Sequence, residues 1–253
     1  MLAKERCDKI CTLLREQGAV TTATLVELFG VSTETIRKDL LFLEHQGLLS
    51  KVHGGAVSKG DMRPFLELPE RSKKQTPQKK ELSLRAADFI SDGNIIGIDS
   101  GSTAVLLAEV IRDRFSSLTV ITHSYDVFEI LGRQPGFSVI LCGGHYLPSE
   151  NAFCGALTLD MLSHLHMQKV FLFPSAISLE YGVCDYQKDL YQVQRQLLKS
   201  SDEIYILADS SKFEKKALLK LDDTKSEYHY ITDSDLSEEL KQLYTENHIT
   251  VYS

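Results

Sequence analysis

Residues 31–56 read VSTETIRKDLLFLEHQGLLSKVHGGA. In the first half of this stretch Ile36, Leu40 and Leu43 recur at intervals of three and four residues, which predicts an amphipathic helix. Ser32 stands where an N-cap is expected, because its hydroxyl can accept a hydrogen bond from a backbone amide of the first helical turn. Gly47 is expected to end the helix.

A hairpin is predicted directly after this helix. Residues 48–52 and 56–57 are strand-like, and His53-Gly54-Gly55 lies between them as a turn. Upstream, residues 4–17 carry apolar side chains at helical spacing up to Gly18, and a short second helix is expected from Thr21 or Thr22 to Gly30. Helix, helix, turn, helix and hairpin in this order predict a winged helix-turn-helix.

In that fold the third helix lies in the major groove of DNA, so its outer face should carry hydroxyls and cations. Hydroxyls and lysine reach phosphates, whereas arginine can form two hydrogen bonds with guanine. A three-helix bundle that binds another protein through a merely solvated Arg37 and Lys38 is the alternative. The residues predicted to contact DNA are Ser32, Thr33, Thr35, Arg37 and Lys38 on the helix, with Lys51 and His53 on the wing.

The charge of the 253-residue chain is unevenly distributed. Residues 1–58 carry seven basic and seven acidic side chains, whereas residues 81–253 carry a net charge of −11. Indiscriminate nucleic-acid binding needs a broad basic surface and is therefore disfavoured, although a small module with well-placed cations is compatible with these numbers. A neutral DNA-binding unit should bind weakly alone, so we expect a homo-oligomer, a dimer or a tetramer, that contacts two or more half-sites.

The cellular compartment is predicted from features that the sequence lacks. It has no run of 18 apolar residues and no apolar N-terminal segment typical of a secretory signal. The five cysteines form no C-x-x-C pair, which is typical of reduced thiols in the cytosol. We expect a cytoplasmic protein with no membrane contact, no metal ion and no cofactor.

Residues 59–80 contain Pro64, Pro69 and Pro77 and carry seven basic and three acidic side chains. Such a composition makes a poor core and predicts a solvated linker between residues 1–58 and residues 81–253. A position near DNA phosphates is the alternative.

From residue 81 onward strand-like and helical segments alternate, which predicts an α/β domain with a parallel sheet and helices on both faces. Small polar residues follow six successive strands. Because ligands bind at the carboxyl edge of such sheets, these clusters predict one shared site. The loop at Ser100–Thr103 opens a helix and suits a phosphate group, but it is neither a Walker A loop nor a dinucleotide fingerprint.

These motifs together resemble the DeoR-type bacterial transcription regulators. The resemblance lies in the TIRKDL, LE, GL and VHGGA segments of residues 35–56, and in DSGST at residues 99–103, T-x-S at Thr122 and Ser124, the glycine pair Gly143-Gly144, F-x-G at residues 153–155 and DSSKF at residues 209–213. It covers nearly the whole chain. Arg71 stands where the family has an arginine before a lysine-rich helix start, so the resemblance implies a contact between the two domains at Arg71. Lys38 stands where the family commonly has a second arginine, which keeps the charge but loses the bidentate geometry.

The resemblance implies a C-terminal effector domain that is similar to sugar-phosphate isomerases and deaminases, binds a phosphorylated sugar or polyol, and has no catalytic residue. Pro174, Ala176 and His123 depart from the family pattern and leave the identity of the ligand open. The family has a basic residue in the helix after Gly182. We assign Arg195 to that position, although Gln194 aligns with it about as well. The effector-binding residues implied are Asp99, Ser100, Gly101, Ser102, Thr103, Gly143, Gly144, Arg195, Asp209 and Lys212.

The sequence therefore predicts a regulator rather than an enzyme: operator DNA binds the first domain, and a phosphorylated metabolite binds the second and changes operator affinity. Repression of a carbohydrate-catabolism operon is expected from the resemblance. The alternative is a sugar-phosphate isomerase or deaminase with a DNA-binding appendage, which would need a carboxylate base and a histidine beside the phosphate loop. Asp185, Asp189 and His123 are the candidates for those roles.

Overall fold

The structure is a computed structural model that describes residues 3–17, 19–45, 48–52, 54–58 and 68–253. Gly18 and Gly47, expected as helix ends, His53, expected on the wing, and residues 59–67 of the expected linker lie outside the described residues. None of the helices in the described ranges combines the length and the apolar composition that crossing a membrane requires.

The N-terminal domain contains the three predicted helices. Thr21 caps the second helix by accepting a hydrogen bond from the backbone N–H of Thr24 (3.0 Å), and Gly30 ends it in the left-handed conformation at φ 63°. Ser32 caps the third helix through the N–H of Thr35 (3.2 Å), as the sequence predicted. The elements are α1 (Ala3–Gln17), β1 (Ala19–Thr21), α2 (Thr22–Phe29), α3 (Thr33–His45), β2 (Leu49–Val52) and β3 (Gly55–Ser58).

The wing has three strands where the sequence predicted two. Residues 19–21 pair antiparallel with β3, so that the order is β1, β3, β2. Gly55 lies so close to the backbone of Val20 that a Cβ atom would overlap its carbonyl oxygen, which explains the glycine at this position. A three-residue strand is too short to show the alternation by which strands are predicted from sequence.

Residues 68–80, which were expected to belong to a solvated linker, differ from that prediction. They include the helix α4 (Leu68–Ser72) and the start of the helix α5 (Thr76–Ala87). Leu68 and Lys79 are buried, and α5 packs along the first helix of the C-terminal domain. The spacing of buried positions on α5 is helical, but the high content of lysine and proline in this segment conceals it.

The C-terminal domain is the predicted α/β fold. Seven parallel strands form one sheet in the order β15, β14, β12, β9, β4, β5, β6. Two smaller antiparallel sheets, β7–β8 and β10–β11–β13, were not predicted. The elements are β4 (Ile95–Ile98), α6 (Ser102–Arg114), β5 (Leu118–Thr122), α7 (Tyr125–Leu131), β6 (Phe137–Leu141), β7 (His145–Leu147), β8 (Ala152–Cys154), α8 (Ala156–Ser163), β9 (Met167–Leu172), β10 (Ala176–Ser178), β11 (Gly182–Asp185), α9 (Lys188–Lys199), β12 (Ser201–Leu207), β13 (Leu219–Asp222), β14 (His229–Ile231), α10 (Glu238–Glu246) and β15 (Val251–Tyr252).

A hydrophobic cluster covers each face of the large sheet. On one face α5, α6 and α7 contribute Leu82, Leu107 and Leu131, and on the other α8, α9 and α10 contribute side chains such as Leu197 and Tyr244. The strands are therefore buried on both sides, which is why their sequences read as short continuous apolar runs. The polar loops after these strands meet at the carboxyl edge of the sheet.

Candidate functional site

The exposed face of α3 carries the predicted DNA contacts. Ser32, Thr33, Arg37 and Lys38 are exposed, and Thr35 is half-buried because its hydroxyl lies 2.9 Å from that of Ser32. Lys51 on β2 is half-buried, and its backbone N–H donates to a carboxylate oxygen of Glu44 (2.7 Å). This hydrogen bond joins the wing to the last turn of α3.

A buried ion pair fixes α3 against α1. The guanidinium of Arg6 donates through Nε and Nη2 to both carboxylate oxygens of Asp39, and the two side chains are 7% and 8% exposed. A bidentate pair of this kind sets the orientation of two helices as well as their distance. Ile36 and Leu40 bury the same face of α3, so Arg37 and Lys38 are held pointing outward.

Two apolar side chains on α3 do not fit the DNA-contact interpretation. Leu41 is 43% exposed and Phe42 is 57% exposed. Nothing in the structure explains either residue.

The loop after β4 forms the centre of the predicted effector site. Asp99, Ser100, Ser102 and Thr103 are all buried. Gly101 precedes α6 at φ 131°, a conformation that favours glycine, and the space beside its missing Cβ is open. The first backbone N–H groups of a helix have no partner within the helix, so this end of α6 can receive an anion.

A chain of buried polar groups extends from this loop. The Nε2 atom of His123, after β5, lies 2.8 Å from Oδ1 of Asp99. From the other side Gln194 on α9 donates through Nε2 to Asp99 (3.1 Å) and to Asp185 (2.9 Å), and Ser175 donates to Asp185 (2.7 Å). Loops that are distant in sequence are thereby held together at one edge of the sheet.

Of the two candidates on α9, the structure places Gln194, and not Arg195, beside Asp99. The guanidinium of Arg195 is on the solvent side of α9, where it donates to the hydroxyl of Tyr191 (3.0 Å) and lies over its ring. The buried residues of α9 are spaced by three and four and include Gln194 with Leu190, Val193 and Leu197. This helical period would have distinguished the two candidates in the sequence.

Lys79 is a cation of the site that the sequence did not indicate. It is 4% exposed, and its ammonium donates to Ser102 Oγ at the start of α6 (3.0 Å) and to the carbonyl oxygens of Arg71 (2.5 Å) and Lys74 (2.7 Å). A positive charge is therefore held next to the helix N-terminus. The same ammonium connects α4 and the turn after it to the loop at Ser100–Thr103.

The remaining predicted residues lie at the same edge. Asp209 is buried and accepts a hydrogen bond from Ser211, and the ammonium of Lys212 donates to the carbonyl oxygen of Pro174 (2.7 Å). The carbonyl oxygen of Gly143 accepts from Thr158 (3.0 Å), and the position of its missing Cβ is open.

Gly144 is required for a different reason. A Cβ atom on Gly144 would overlap the hydroxyl of Thr158 and the carbonyl oxygen of Cys154. Gly144 therefore serves the packing of this loop against α8, whereas Gly143 leaves room at the site.

A buried carboxylate closes one side of the site. Glu150, in the turn between β7 and β8, is 2% exposed and pairs with Arg71 of α4. Burial raises the pKa of Glu150, and the guanidinium of Arg71 opposes this shift. The interdomain contact expected of Arg71 is thus a contact with the C-terminal domain.

The buried polar atoms that have no hydrogen-bond partner among the described residues include two beside Asp99. These two are the hydroxyl oxygen of Ser100 and the side-chain carbonyl oxygen of Gln194. An unsatisfied buried polar group costs about 1–3 kcal/mol, so such atoms call for an explanation. Both belong to residues that surround Asp99, and a bound polar ligand would satisfy them.

A winged helix-turn-helix with an exposed cationic helix is followed by a parallel-sheet domain with a buried polar cluster at its carboxyl edge. This combination describes a DNA-binding regulator that responds to a small molecule.

Comparison with known proteins gives the family. Residues 6–61 match the DeoR-like helix-turn-helix domain, and residues 74–234 match the DeoR C terminal sensor domain. The chain belongs to the DeoR family of transcription regulators. The resemblance drawn from the sequence is confirmed, and so is the expectation of a regulator rather than an enzyme.

Curated relatives match over most of the chain. A protein assigned as the aga operon transcriptional repressor of Escherichia coli O157:H7 is 32% identical over 87% of this chain and 82% of its own. An HTH-type transcriptional regulator of Bacillus subtilis strain 168 is 31% identical over 93% and 91%. The lactose phosphotransferase system repressor of Staphylococcus aureus strain N315 is 33% identical over 84% of each chain.

Among solved structures, ribose 5-phosphate isomerase A from Methanocaldococcus jannaschii aligns with 55% of this chain and 55% of its own, at 15% identity and a TM-score of 0.39. A likeness this distant carries no information about ligand or activity.

Proposed function

We propose that this protein is a cytoplasmic repressor of a carbohydrate-catabolism operon whose affinity for its operator is changed by a phosphorylated sugar or polyol. Residues 1–58 form the DNA-binding domain in this proposal, and residues 81–253 form the sensing and oligomerisation domain. The relative from Escherichia coli is named as an operon repressor, and the relative from Staphylococcus aureus, a lactose phosphotransferase system repressor, supports a role in carbohydrate regulation.

The observation that carries the proposal is the chemical division of the site around Asp99. On one side, Lys79 and the N-terminus of α6 offer positive charge and backbone donors, which suit a phosphate. On the other side, the buried carboxylates of Asp99 and Asp185 can accept hydrogen bonds from hydroxyl groups, and Gln194 presents an unused acceptor. A molecule with a phosphate at one end and hydroxyls at the other matches both.

On the DNA side, Arg37 is proposed to contact base edges, and Ser32, Thr33, Thr35, Lys38, Lys51 and His53 to contact the phosphate backbone. The balanced charge of the domain gives one copy little electrostatic affinity, so two or more copies are proposed to bind adjacent half-sites.

A thermal-shift screen tests the ligand. Purified protein is heated with glucose, galactose, ribose and glycerol phosphates and with the same molecules lacking phosphate. A ligand at one hundred times its Kd stabilises the folded state by about 2.7 kcal/mol, so binding is readily detected. The proposal expects stabilisation by a phosphorylated molecule and none by its unphosphorylated counterpart. Stabilisation by neither set, at millimolar concentrations, contradicts it.

A further inference from the structure

The wing sheet has a second apolar face that the DNA-binding domain does not use. Along β3, Ala56 points into the core of that domain, and Val57 points the opposite way. The strand register places Ala19 directly opposite Val57, and Val52 pairs with Gly55 on the same face. Val57 is nevertheless fully buried, so another part of the chain covers it.

The cover is the small sheet β10–β11–β13 of the C-terminal domain. Val57 forms one hydrophobic cluster with Ala176, Cys184, Tyr186 and Ala217. Ala176, which departs from the family pattern, therefore packs against the wing. The other face of the small sheet contributes side chains to the core of the C-terminal domain, namely Ile177, Val183 and Leu221.

The strand β11 connects the wing with the effector site because its side chains alternate between the two. Cys184 and Tyr186 point toward the wing, whereas Val183 packs in the core beneath the small sheet. Asp185 follows the same alternation as Val183 and carries the hydrogen bonds from Gln194 and Ser175. A single strand thus contacts the site with one face and the DNA-binding domain with the other.

We propose that the outer face of the wing sheet is a docking surface for the β10–β11–β13 sheet, and that β11 transmits occupancy of the effector site to the DNA-binding domain. The inference rests on the proposed function for the existence of an effector. Closely packed interiors do not absorb displacement, so a ligand that moves Asp185 changes the fit of Cys184 and Tyr186 against Val57. Coupling of this type changes affinity by roughly 5- to 150-fold.

Native cysteines report docking without any engineered probe. Cys184 is 2% exposed at the docking surface, and Cys142 is fully buried in the core of the C-terminal domain. Burial holds both thiols protonated in the closed state, and an exposed cysteine regains its ordinary pKa, so the two labelling rates report opening. Pulse labelling of the full chain with N-ethylmaleimide, followed by peptide mass spectrometry, measures both rates in one sample. Labelling of Cys142 detects global unfolding.

The first variant is Val57→Lys, which places a charge in the docking surface without entering the core of the DNA-binding domain. We expect labelling of Cys184 to accelerate roughly tenfold or more, since exposure of a buried thiol follows the population of the open state, while Cys142 stays protected. Thr12→Lys, an exposed position on α1, is the matched control and leaves both rates unchanged. Equal labelling of Cys184 in Val57→Lys and in the unmodified protein overturns the docking surface.

The second variant, Gln194→Leu, perturbs the site without touching the docking surface and without any ligand. We expect a changed labelling rate at Cys184, and the glucose, galactose, ribose and glycerol phosphates of the screen to change that rate in the unmodified protein. If neither the variant nor any phosphate alters Cys184 labelling, transmission through β11 is overturned. If Gln194→Leu alters the rate but no phosphate binds, the inference stands and the proposed effector fails.

Discussion

The Nε2 atom of His123 lies 2.8 Å from Oδ1 of Asp99, and both side chains are completely buried. The other ring nitrogen, Nδ1, lies 2.9 Å from the carbonyl oxygen of Phe153. A carbonyl oxygen only accepts, so Nδ1 carries a hydrogen. The hydrogen bond between Nε2 and Oδ1 of Asp99 therefore needs one further proton, which the two side chains share. The pair is therefore a fixed, internally compensated part of the site.

Breaking this pair should destabilise the protein strongly. His123→Leu leaves Asp99 buried with only the hydrogen bond from Gln194, and removing one partner of a buried pair costs about 3–5 kcal/mol. Adding Asp99→Leu removes the uncompensated group and should restore part of the loss. Urea unfolding of both single variants and the double variant measures the coupling. Strictly additive effects of the two substitutions would contradict an interaction between them.

Ser100→Ala should separate ligand binding from stability. The Ser100 hydroxyl has no partner among the described residues, so its removal should leave the free energy of unfolding unchanged or slightly higher. Affinity for the phosphorylated effector should fall about tenfold. This corresponds to the loss of roughly 1.4 kcal/mol, which one hydrogen bond to an anion contributes. Calorimetric titration measures the effector affinity, and urea unfolding measures the free energy of unfolding.

The matched control for this variant is Ser200→Ala. Ser200 is also buried, but its hydroxyl donates to the carbonyl oxygen of Leu162 (3.1 Å) at the far end of α9. The control should lose stability and keep effector affinity. The reverse pattern in the two variants would show that Ser100 does not face the ligand.

Arg37→Ala should weaken operator binding by about 1–3 kcal/mol and relax specificity at one base position, because arginine reads guanine through two hydrogen bonds. Arg37 is exposed, so the fold should be unaffected. Arg112→Ala, at an exposed position of α6, removes the same charge far from the wing and should leave affinity unchanged. Competition assays with single-base operator variants make the measurement. Equal losses on all sequences would assign Arg37 to the phosphates instead.

The stability of the protein should depend on pH through Glu150. Burial raises its pKa in the folded state, against the opposing effect of Arg71, so the folded state holds this proton more tightly than the unfolded state. Stability from this group is therefore complete below the ordinary pKa of 4.5 and decreases as pH rises through the folded-state value. The difference in unfolding free energy between the protein and Glu150→Gln should decrease over that range. If the difference grew with pH instead, the pKa of Glu150 would be lowered in the folded state, which contradicts the prediction.

The parallel sheet was predictable because its strands are buried on both faces and alternate with amphipathic helices. The strand β5 (Leu118–Thr122) and the helix α7 (Tyr125–Leu131) are one example of this alternation. The small sheets were not predictable, because strands such as β7 and β10 have three residues each and depend on tertiary contacts for their pairing.

The site was predictable where polar residues follow strands and was missed where they lie on helices. Asp99 follows β4 directly, Lys212 lies in the loop after β12, and the structure places both at the carboxyl edge. Lys79 was missed because a lysine in a basic segment is normally solvated. Its spacing to Leu82, Ser83 and Ala86 on the buried face of α5 was the available signal.

The central claim is that one domain binds DNA and an edge of the other domain controls that binding. Fluorescence anisotropy of the full-length protein on DNA from upstream of its own operon, with and without the stabilising phosphate, tests it most directly. We predict specific binding that the phosphate changes roughly 5- to 150-fold, and a Ser100→Ala variant that binds equally well but needs about tenfold more phosphate. Specific binding that no phosphorylated sugar or polyol alters would contradict the account, as would no binding at all.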